Sequence, residues 1–248
     1  MRKSLTAAAA TLATMAFGAP THAAEVTALV SNAFKSTLQE LAPQFEKATE
    51  HKLKITFGST APLKTRIEKG EAVDFALIGE GAIDELVKQG KLVAATRTVI
   101  ARSGLGVAIR KGAPKPDLST TEAFKKTLLA ASSISYNEQG LTGNYLKVLF
   151  QRLGIAEAIK AKFKNGSGAE LVGKGETEIG LTQASEVTLV AGVELGGTLP
   201  PEIQNYSVFP AAVTASAKEP DAAKAVLKFL TSPEALRVMK AKGLDAPG

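Results

Sequence analysis

The sequence predicts an open α/β fold in which short parallel strands alternate with amphipathic helices. Short apolar segments rich in β-branched residues alternate with segments whose apolar residues recur every three to four positions. Repeated strand–helix units need crossover connections, so they indicate a mainly parallel sheet with helices on both faces. No flexible linker or low-complexity tract interrupts them. If the chain forms two domains, we therefore expect short ordered crossovers between them, near residues 97–104 and 205–212.

The first half of the chain contains three strand–helix units. We predict strands at 26–30, 53–57 and 75–78. The helix after the first strand has one apolar stripe, formed by Phe34, Leu38, Leu41 and Phe45. Pro62 stands where the first turn of the second helix should be, and Gly90 follows the apolar residues of the third, as a C-terminal glycine does.

The second half repeats the same units. We predict strands at 104–109, 133–136, 162–164, 178–183 and 207–215. Ser119 and Glu122 have the spacing of a capping box before a helix. Two helices close the chain, and each has a proline, Pro220 or Pro233, at its start.

Residues 1–23 are typical of a cleavable export signal. Arg2 and Lys3 precede an uncharged, alanine-rich segment, and small residues at Thr21 and Ala23 precede the expected cleavage site. The segment is too short and too poor in large side chains to span about 30 Å of hydrocarbon. We therefore expect a mature protein that begins at Ala24, works in the periplasm and does not insert into a membrane.

The composition excludes several classes of function. The chain has no cysteine, so thiolate zinc sites, cysteine nucleophiles and cysteine lipid anchors are excluded. After cleavage the only histidine is His51, in a polar connector where an exposed loop residue is favoured over a catalytic one. The basic excess is small once Arg2 and Lys3 are removed, and no basic stripe with aromatics indicates nucleic-acid binding. We expect no metal and no cofactor.

Four predicted strand-to-helix junctions carry small hydroxyl, amide or glycine residues. They are Val30–Ala33, Gly58–Pro62, Gly140–Asn144 and Asn165–Gly168. In open parallel sheets, ligands bind beyond the carboxyl ends of the strands. Helix N-termini expose unpaired N–H groups and partial positive charge, so several that converge form an anion site. The same residue types are also common helix caps. The pattern alone therefore leaves capping and anion binding as equal alternatives.

Several segments resemble periplasmic molybdate-binding proteins. The resembling segments are Ile67–Gly70 with Asp74–Ile78, Gly175–Gly180 and Phe229–Ala235. The segment Ala101–Asp117 resembles a divergent branch of molybdate-type substrate-binding proteins. The resemblance extends over the whole mature chain. It implies a type II periplasmic binding protein, in which two α/β lobes joined by two crossovers close on a ligand like a Venus flytrap.

The resemblance also implies the division of the chain and its partner. Lobe 1 would comprise residues 24–100 and 209–248, and lobe 2 residues 101–208. The protein would deliver its solute to an ABC permease in the inner membrane, and binding proteins of this plan act as monomers.

The resemblance implies a ligand-binding set in which two side-chain donors have been replaced. The ligand-binding residues would be Ser31, Asn32, Ala33, Ser59, Thr60, Ala61, Thr142, Gly143, Asn144 and Gln183, with a further backbone contact near Asn165 or Gly166. The family's first-loop serine corresponds to Ala33, its second-loop serine to Thr60 or Ala61, and its binding tyrosine to Gln183. Losing a matched donor costs about 1–3 kcal/mol, enough to change the preferred ligand.

Basic residues near these loops could supply charge to an anion. Lys35, Lys64 and Arg66 lie near the first two loops, where a solvated helix face is the favoured interpretation. Arg102 lies on the first predicted crossover and is the best candidate for a ligand charge. A guanidinium binds a carboxylate bidentately.

Three functions remain open at this stage. The first is a carrier of a small anion, a molybdate-like oxyanion or an organic carboxylate, for an ABC importer. The second is an exported enzyme of the aconitate isomerase type, because that enzyme resembles the same branch; it would need a general base, for which Glu80, Glu138 and Glu186 are candidates. The third is a ligand sensor that docks on a membrane receptor.

Overall fold

A computed structural model describes residues 23–139 and 141–247 of the 248-residue chain. The predicted export signal, apart from Ala23, lies outside the described residues. The strands are β1 (Glu25–Ser31), β2 (Lys52–Gly58), β3 (Phe75–Leu77), β4 (Thr98–Arg110), β5 (Ile134–Tyr136), β6 (Phe163–Asn165), β7 (Ile179–Gln183), β8 (Val193–Thr198) and β9 (Tyr206–Val213). The helices are α1 (Lys35–Thr49), α2 (Thr60–Glu68), α3 (Glu80–Lys88), α4 (Thr121–Ala130), α5 (Leu141–Arg152), α6 (Ala156–Lys160), α7 (Gly168–Gly173), α8 (Ala184–Val187), α9 (Pro220–Leu230) and α10 (Pro233–Ala241).

The strands form a mixed sheet in the order β2-β1-β3-β9-β4-β7-β5-β6, with β8 paired to β4. β1 is parallel to β2 and β3, and β5 is parallel to β6 and β7. The long strands β4 and β9 run antiparallel between these two groups. We call the β1–β3 side with α1–α3, α9 and α10 lobe 1, and the β5–β8 side with α4–α8 lobe 2. The predicted two-lobed α/β fold is confirmed.

Helices cover both faces of each lobe. In lobe 1, Phe34, Phe45 and Met239 belong to the buried cluster on one face, whereas α2 and α3 bury their apolar residues on the other. In lobe 2, α4, α5 and α6 pack on one face, and Val172 of α7 and Val187 of α8 pack on the other. This layering explains why the buried strands read as continuous apolar segments in the sequence.

The structure corrects the sequence analysis in three places. β4 begins at Thr98 rather than Gly104, so the first predicted crossover is itself a strand. The N-cap of α4 is Thr120, whose Oγ1 accepts a hydrogen bond from the Ala123 N–H at 3.1 Å. Ser119 instead donates its hydroxyl to Asp117 at 2.7 Å, which removes it from the cap. β8 was not predicted, because two glycines interrupt its apolar pattern.

One buried carboxylate ties three segments of lobe 1 together. Asp74 precedes β3 and is 2% exposed. Its Oδ2 accepts hydrogen bonds from the Thr27 N–H and hydroxyl of β1, both at 2.7 Å. Its Oδ1 accepts from the N–H groups of Lys218 and Glu219, just before α9, at 2.8 and 2.9 Å. Asp74 therefore fixes the amino ends of two strands against the last part of the chain.

Candidate functional site

The sheet topology turns the predicted ligand loops of the two lobes toward each other. β3 is antiparallel to β9, which is antiparallel to β4, so β1, β2 and β3 all run in the direction of β4. β7 is antiparallel to β4, and β5 and β6 run with β7. Because β4 runs from lobe 1 into lobe 2, the carboxyl ends of the strands in each lobe point at the other lobe. Helix N-termini therefore face the interlobe region from both sides.

The first loop of lobe 1 is a tight turn over Asn32–Phe34. Ser31 is buried, and its Oγ accepts a long hydrogen bond from the Ala33 N–H at 3.4 Å. Asn32 is exposed, and Ala33 is buried. The ring of Phe34 contacts Phe209 of β9 edge-on, with 5.5 Å between centroids. The loop is thereby anchored on the strand that joins the lobes, with the Asn32 side chain exposed beside it.

The second loop of lobe 1 places a hydroxyl that capping does not use. Ser59 occupies the N-cap position of α2, is exposed, and makes no side-chain capping hydrogen bond. Thr60 Oγ1 accepts a hydrogen bond from the Gly79 N–H at 3.2 Å, which links this loop to the one after β3. Ala61 is exposed. Of the two hydroxyl residues predicted in the second loop, Thr60 thus forms a hydrogen bond within the lobe, whereas Ser59 makes no capping hydrogen bond.

The two loops of lobe 2 are tied to each other. The Glu138 N–H donates to Asn165 Oδ1 at 3.0 Å, and the Gly166 N–H donates to the Tyr136 carbonyl at 3.2 Å. Gly143, in the first turn of α5, is buried under this loop. A Cβ at Gly143 would lie 2.2 Å from the Asn137 carbonyl oxygen. Gly143 is therefore required by close packing of backbone on backbone. The predicted junction residue Gly140 lies outside the described residues.

The remaining predicted residues of this loop start α5. Thr142 is half-buried and Asn144 is exposed. Ser167, before α7, caps its helix through a 3.5 Å hydrogen bond from the Glu170 N–H. At Ser167 the structure therefore favours the capping interpretation.

Gln183 and Arg102 lie on opposite faces of the strands that join the lobes. Gln183 ends β7, pairs with Leu105 of β4, and donates from Nε2 to Ser207 Oγ of β9 at 3.0 Å. Ser207 pairs in turn with Ser103 of β4. Successive side chains of a strand point to opposite faces, so Arg102 is on the face away from Ser103 and Leu105. Phe209, on which the first loop packs, shares the face of Ser207. The structure thus groups Gln183 with the first loop and separates Arg102 from both.

Arg102 is a half-buried cation that forms no ion pair with a carboxylate of the described residues. Its guanidinium lies over the Tyr206 ring, with Cζ 4.4 Å from the centroid, and its buried Nε has no hydrogen-bond partner. The other half-buried arginines of the described chain are neutralised: Arg66 by Glu71, and Arg97 by Glu80 and Asp84. The backbone of Arg102 pairs with that of Asp245, but the two side chains form no ion pair, so the charge of Arg102 would act across the sheet on an anion held between the lobes.

The basic residues near the first two loops behave as surface residues. Lys64 forms ion pairs with Glu68 and Glu85 across α2 and α3, and Lys35 is exposed. These contacts agree with the helix-face interpretation that the sequence favoured for them.

The three candidate general bases differ in their surroundings. Glu80 pairs with Arg97 and Glu138 pairs with Lys147. Glu186, in α8 directly after β7, is half-buried and accepts a 2.5 Å hydrogen bond from Thr182 Oγ1. Burial raises its pKa, and the Thr182 hydrogen bond offsets only part of that rise. Within the described chain, Glu186 alone of the three has no cation at ion-pair distance.

Sequence reasoning missed the residues that connect the lobes. Ser103 and Ser185 place their hydroxyl oxygens 3.1 Å apart, and Ser36 of α1 lies 3.2 Å from Thr188, just after α8. The pairing register of β9 against β4 places Tyr206 beside Arg102 and Ser207 beside Gln183. No local pattern marks these residues, because each contact joins segments more than 80 residues apart or depends on strand pairing.

Comparison with known proteins gives the family. An aconitate isomerase from Pseudomonas sp is 34% identical over 229 residues, which covers 88% of this chain and 87% of that protein. Molybdate-binding protein ModA of Azotobacter vinelandii is 28% identical over 89% of this chain and 90% of its own. The solved periplasmic molybdate-binding protein of Azotobacter vinelandii superposes with a TM-score of 0.72 at 22% identity, covering 90% of this chain and 100% of that one.

These similarities confirm the resemblance to molybdate-type periplasmic binding proteins. The sequence profile described as bacterial extracellular solute-binding protein matches residues 26–245, nearly the entire described chain. The chain therefore belongs to the family of bacterial extracellular solute-binding proteins.

Proposed function

We propose that this protein captures a small anion between its two lobes in the periplasm and delivers it to an ABC importer. The observation that carries the proposal is Arg102, a half-buried cation on a strand that joins the lobes, which forms no ion pair within the described chain. Helix N-termini that face the interlobe region from both sides add partial positive charge. The aligned relatives include molybdate-binding proteins. Residues 24–100 with 209–248, and 101–208, are the lobes that would close, and the protein would act as a monomer.

Arg102 would act on the anion mainly through its charge. A ligand that contacts Gln183 lies across the strand from Arg102, at a distance on the order of 10 Å. That is about one Debye length at 0.1 M salt, and an effective dielectric constant of about 40 gives an attraction of roughly 1 kcal/mol. Arg102 therefore contributes affinity that falls as the salt concentration rises.

The variant Arg102→Gln is expected to bind the anion about fivefold more weakly at low salt, in line with this attraction. Isothermal titration calorimetry measures this once a thermal-shift screen of molybdate, tungstate, sulfate, phosphate, citrate and both aconitates has found ligands, since binding stabilises the folded state. Arg110→Gln is the matched control, because Arg110 is exposed at the far end of the same strand. It should bind like the wild type.

Two results would contradict the proposal. If none of the seven anions raises the melting temperature, anion capture is wrong. If Arg102→Gln and Arg110→Gln weaken binding equally, the effect comes from the net charge of the protein, and Arg102 has no specific role in binding the anion.

A second candidate function is isomerisation of a tricarboxylate. It is favoured by the aconitate isomerase relative and by Glu186, a half-buried carboxylate free of ion pairs in the described chain. A general base must be near the substrate and have a pKa suited to the working pH, and burial moves the pKa of Glu186 upward toward that range.

If the protein is an isomerase, Glu186→Gln should reduce cis–trans aconitate interconversion by about 100-fold or more while leaving aconitate binding within a few-fold. Nuclear magnetic resonance follows the interconversion directly, and the rate should rise with pH as Glu186 loses its proton. Glu157→Gln, at an exposed position of α6, is the matched control. No interconversion by the wild type above the uncatalysed rate would remove the enzyme candidate.

A further inference from the structure

Two of the three unpartnered buried side-chain atoms in the described chain lie where the lobes join. They are Arg102 Nε and Gln183 Oε1; the third, Thr37 Oγ1, is inside helix α1 of lobe 1. Buried polar atoms nearly always have a partner in folded proteins, and a buried acceptor left unpaired destabilises the fold. An unpaired acceptor at a ligand-facing position therefore calls for a partner that arrives with the ligand.

Gln183 is held in one orientation by the strand next to it. Its Nε2 donates to Ser207 Oγ at 3.0 Å, which directs the carbonyl oxygen away from Ser207. Gln183 stands at the carboxyl end of β7, which points at lobe 1, and on the face where the first loop packs through Phe34 and Phe209. The unpaired carbonyl thus belongs to the region where the proposed ligand is enclosed.

A carbonyl oxygen accepts hydrogen bonds and donates none. An anion whose oxygens carry no proton, such as molybdate or sulfate at neutral pH, would place negative oxygen against it. An anion that also has a hydroxyl group can donate that proton to Gln183 Oε1. The same ligand still presents its negative charge to the helix N-termini and to the field of Arg102.

We infer that Gln183 accepts a hydrogen bond from the ligand, so that the site selects an anion bearing an O–H donor over one without it. This inference rests on the proposed anion binding and narrows it to a chemical class. A hydroxycarboxylate and a hydrogen phosphate both supply such a donor.

Matched pairs of anions test the inference by calorimetry on the full mature protein. Citrate and tricarballylate differ by one hydroxyl, as do malate and succinate; hydrogen phosphate and sulfate form the inorganic pair. The donor-bearing member of at least one pair should bind about tenfold or more tightly in the wild type, because its analogue leaves the buried carbonyl unpaired. A preference in one of the organic pairs would identify the ligand as a hydroxycarboxylate, and a preference in the inorganic pair would identify it as a phosphate.

Variants of Gln183 assign the preference to this side chain. Gln183→Met keeps the length but removes the acceptor, so the preference should fall to about twofold or less. Gln183→Glu keeps an acceptor, so it should retain the preference at weaker overall affinity because of charge repulsion. Gln151→Met, on the exposed surface of α5, is the control and should leave the preference unchanged. Melting temperatures verify that each variant is folded.

The outcomes distinguish a failure of this inference from a failure of the proposed anion binding. If anions bind without a preference for the hydroxyl-bearing member, the inference is wrong and anion capture stands; this is also the result expected if the amide is turned so that Nε2 faces the ligand. A preference that survives in Gln183→Met overturns the inference too. If no anion of any pair binds but molybdate, tungstate or an aconitate does, the inference is wrong and anion capture stands; if none of these anions binds, the proposed function itself fails.

Discussion

Asp74→Asn is expected to lower the free energy of unfolding by about 3 kcal/mol, or about 6–12 °C in melting temperature for a protein of this size. The carboxylate accepts four hydrogen bonds from two other segments, β1 and the residues just before α9. An amide has one oxygen, so its NH₂ group must face either the Thr27 donors or the N–H groups of Lys218 and Glu219. In one orientation the N–H groups of Lys218 and Glu219 lose their acceptor; in the other the Thr27 N–H loses its acceptor, while the Thr27 hydroxyl can accept from the amide.

Thermal unfolding measures this loss, and Asp221→Asn provides the matched control. Asp221 is exposed on α9, where its ion pair with Lys224 contributes little. The control should change the melting temperature by no more than about 1 °C. An Asp74→Asn variant as stable as the wild type would show that the three segments are held without the carboxylate.

The same carboxylate makes the stability depend on pH. Burial by itself raises the pKa of Asp74, but the hydrogen bonds from Thr27, Glu219 and Lys218 together lower it below its ordinary value. The folded-state pKa is thus below the unfolded one, so this stabilisation is present at neutral pH and is lost as the pH falls below about 4. The stability gap between wild type and Asp74→Asn should therefore narrow on acidification. Burial raises the pKa of Glu186, so the contribution of Glu186 to stability changes with pH in the opposite direction. That contribution is the same in the wild type and in Asp74→Asn, so it cancels in the difference between them.

Gly143→Ala is expected to weaken ligand binding by about tenfold or more and to cost about 1–3 kcal/mol of stability. The new Cβ would lie 2.2 Å from the Asn137 carbonyl oxygen and 2.6 Å from that of Glu138, both backbone atoms. The loop must therefore move by about 1 Å, away from the position in which Glu138 bonds to Asn165. Both predicted ligand loops of lobe 2 are displaced together.

Gly81→Ala is the matched control for this substitution. Gly81 is also in the first turn of a helix, α3, but a Cβ there meets nothing within 4 Å. Alanine at position 81 should be neutral or stabilise by up to about 1 kcal/mol through the unfolded state. Calorimetry and thermal unfolding on both variants give the comparison. Unchanged affinity in Gly143→Ala would remove this loop from the site.

The local elements of the fold could be predicted because each has a periodic apolar pattern. The observed β1 and β2 extend one residue beyond the predicted bounds at each end, and the apolar stripe predicted for the first helix lies in α1 and the turn before it. β8, α6 and α8 escaped prediction. Two glycines interrupt the apolar pattern of β8, and α6 and α8 have only five and four residues, too few for a helical period to show.

The candidate site was predictable only in outline. The junction residues could be named because turns before helices favour small hydroxyl and amide residues, yet the same residues also cap helices. The structure separates the two roles at Ser59, which makes no cap, and at Ser167, which does.

The sequence by itself determined the α/β class, the order of the elements and the polar loops at the ends of the strands. Those properties are encoded within single segments of about 5–15 residues, where periodicity and turn chemistry are sufficient. Only the tertiary structure decided that Arg102 and Gln183 lie on opposite faces of β4, that Gly143 is needed for backbone contact, and that Gln183 has an unpaired carbonyl. These features depend on strand register and on contacts between distant segments, and a shift of one residue in register would reverse the faces.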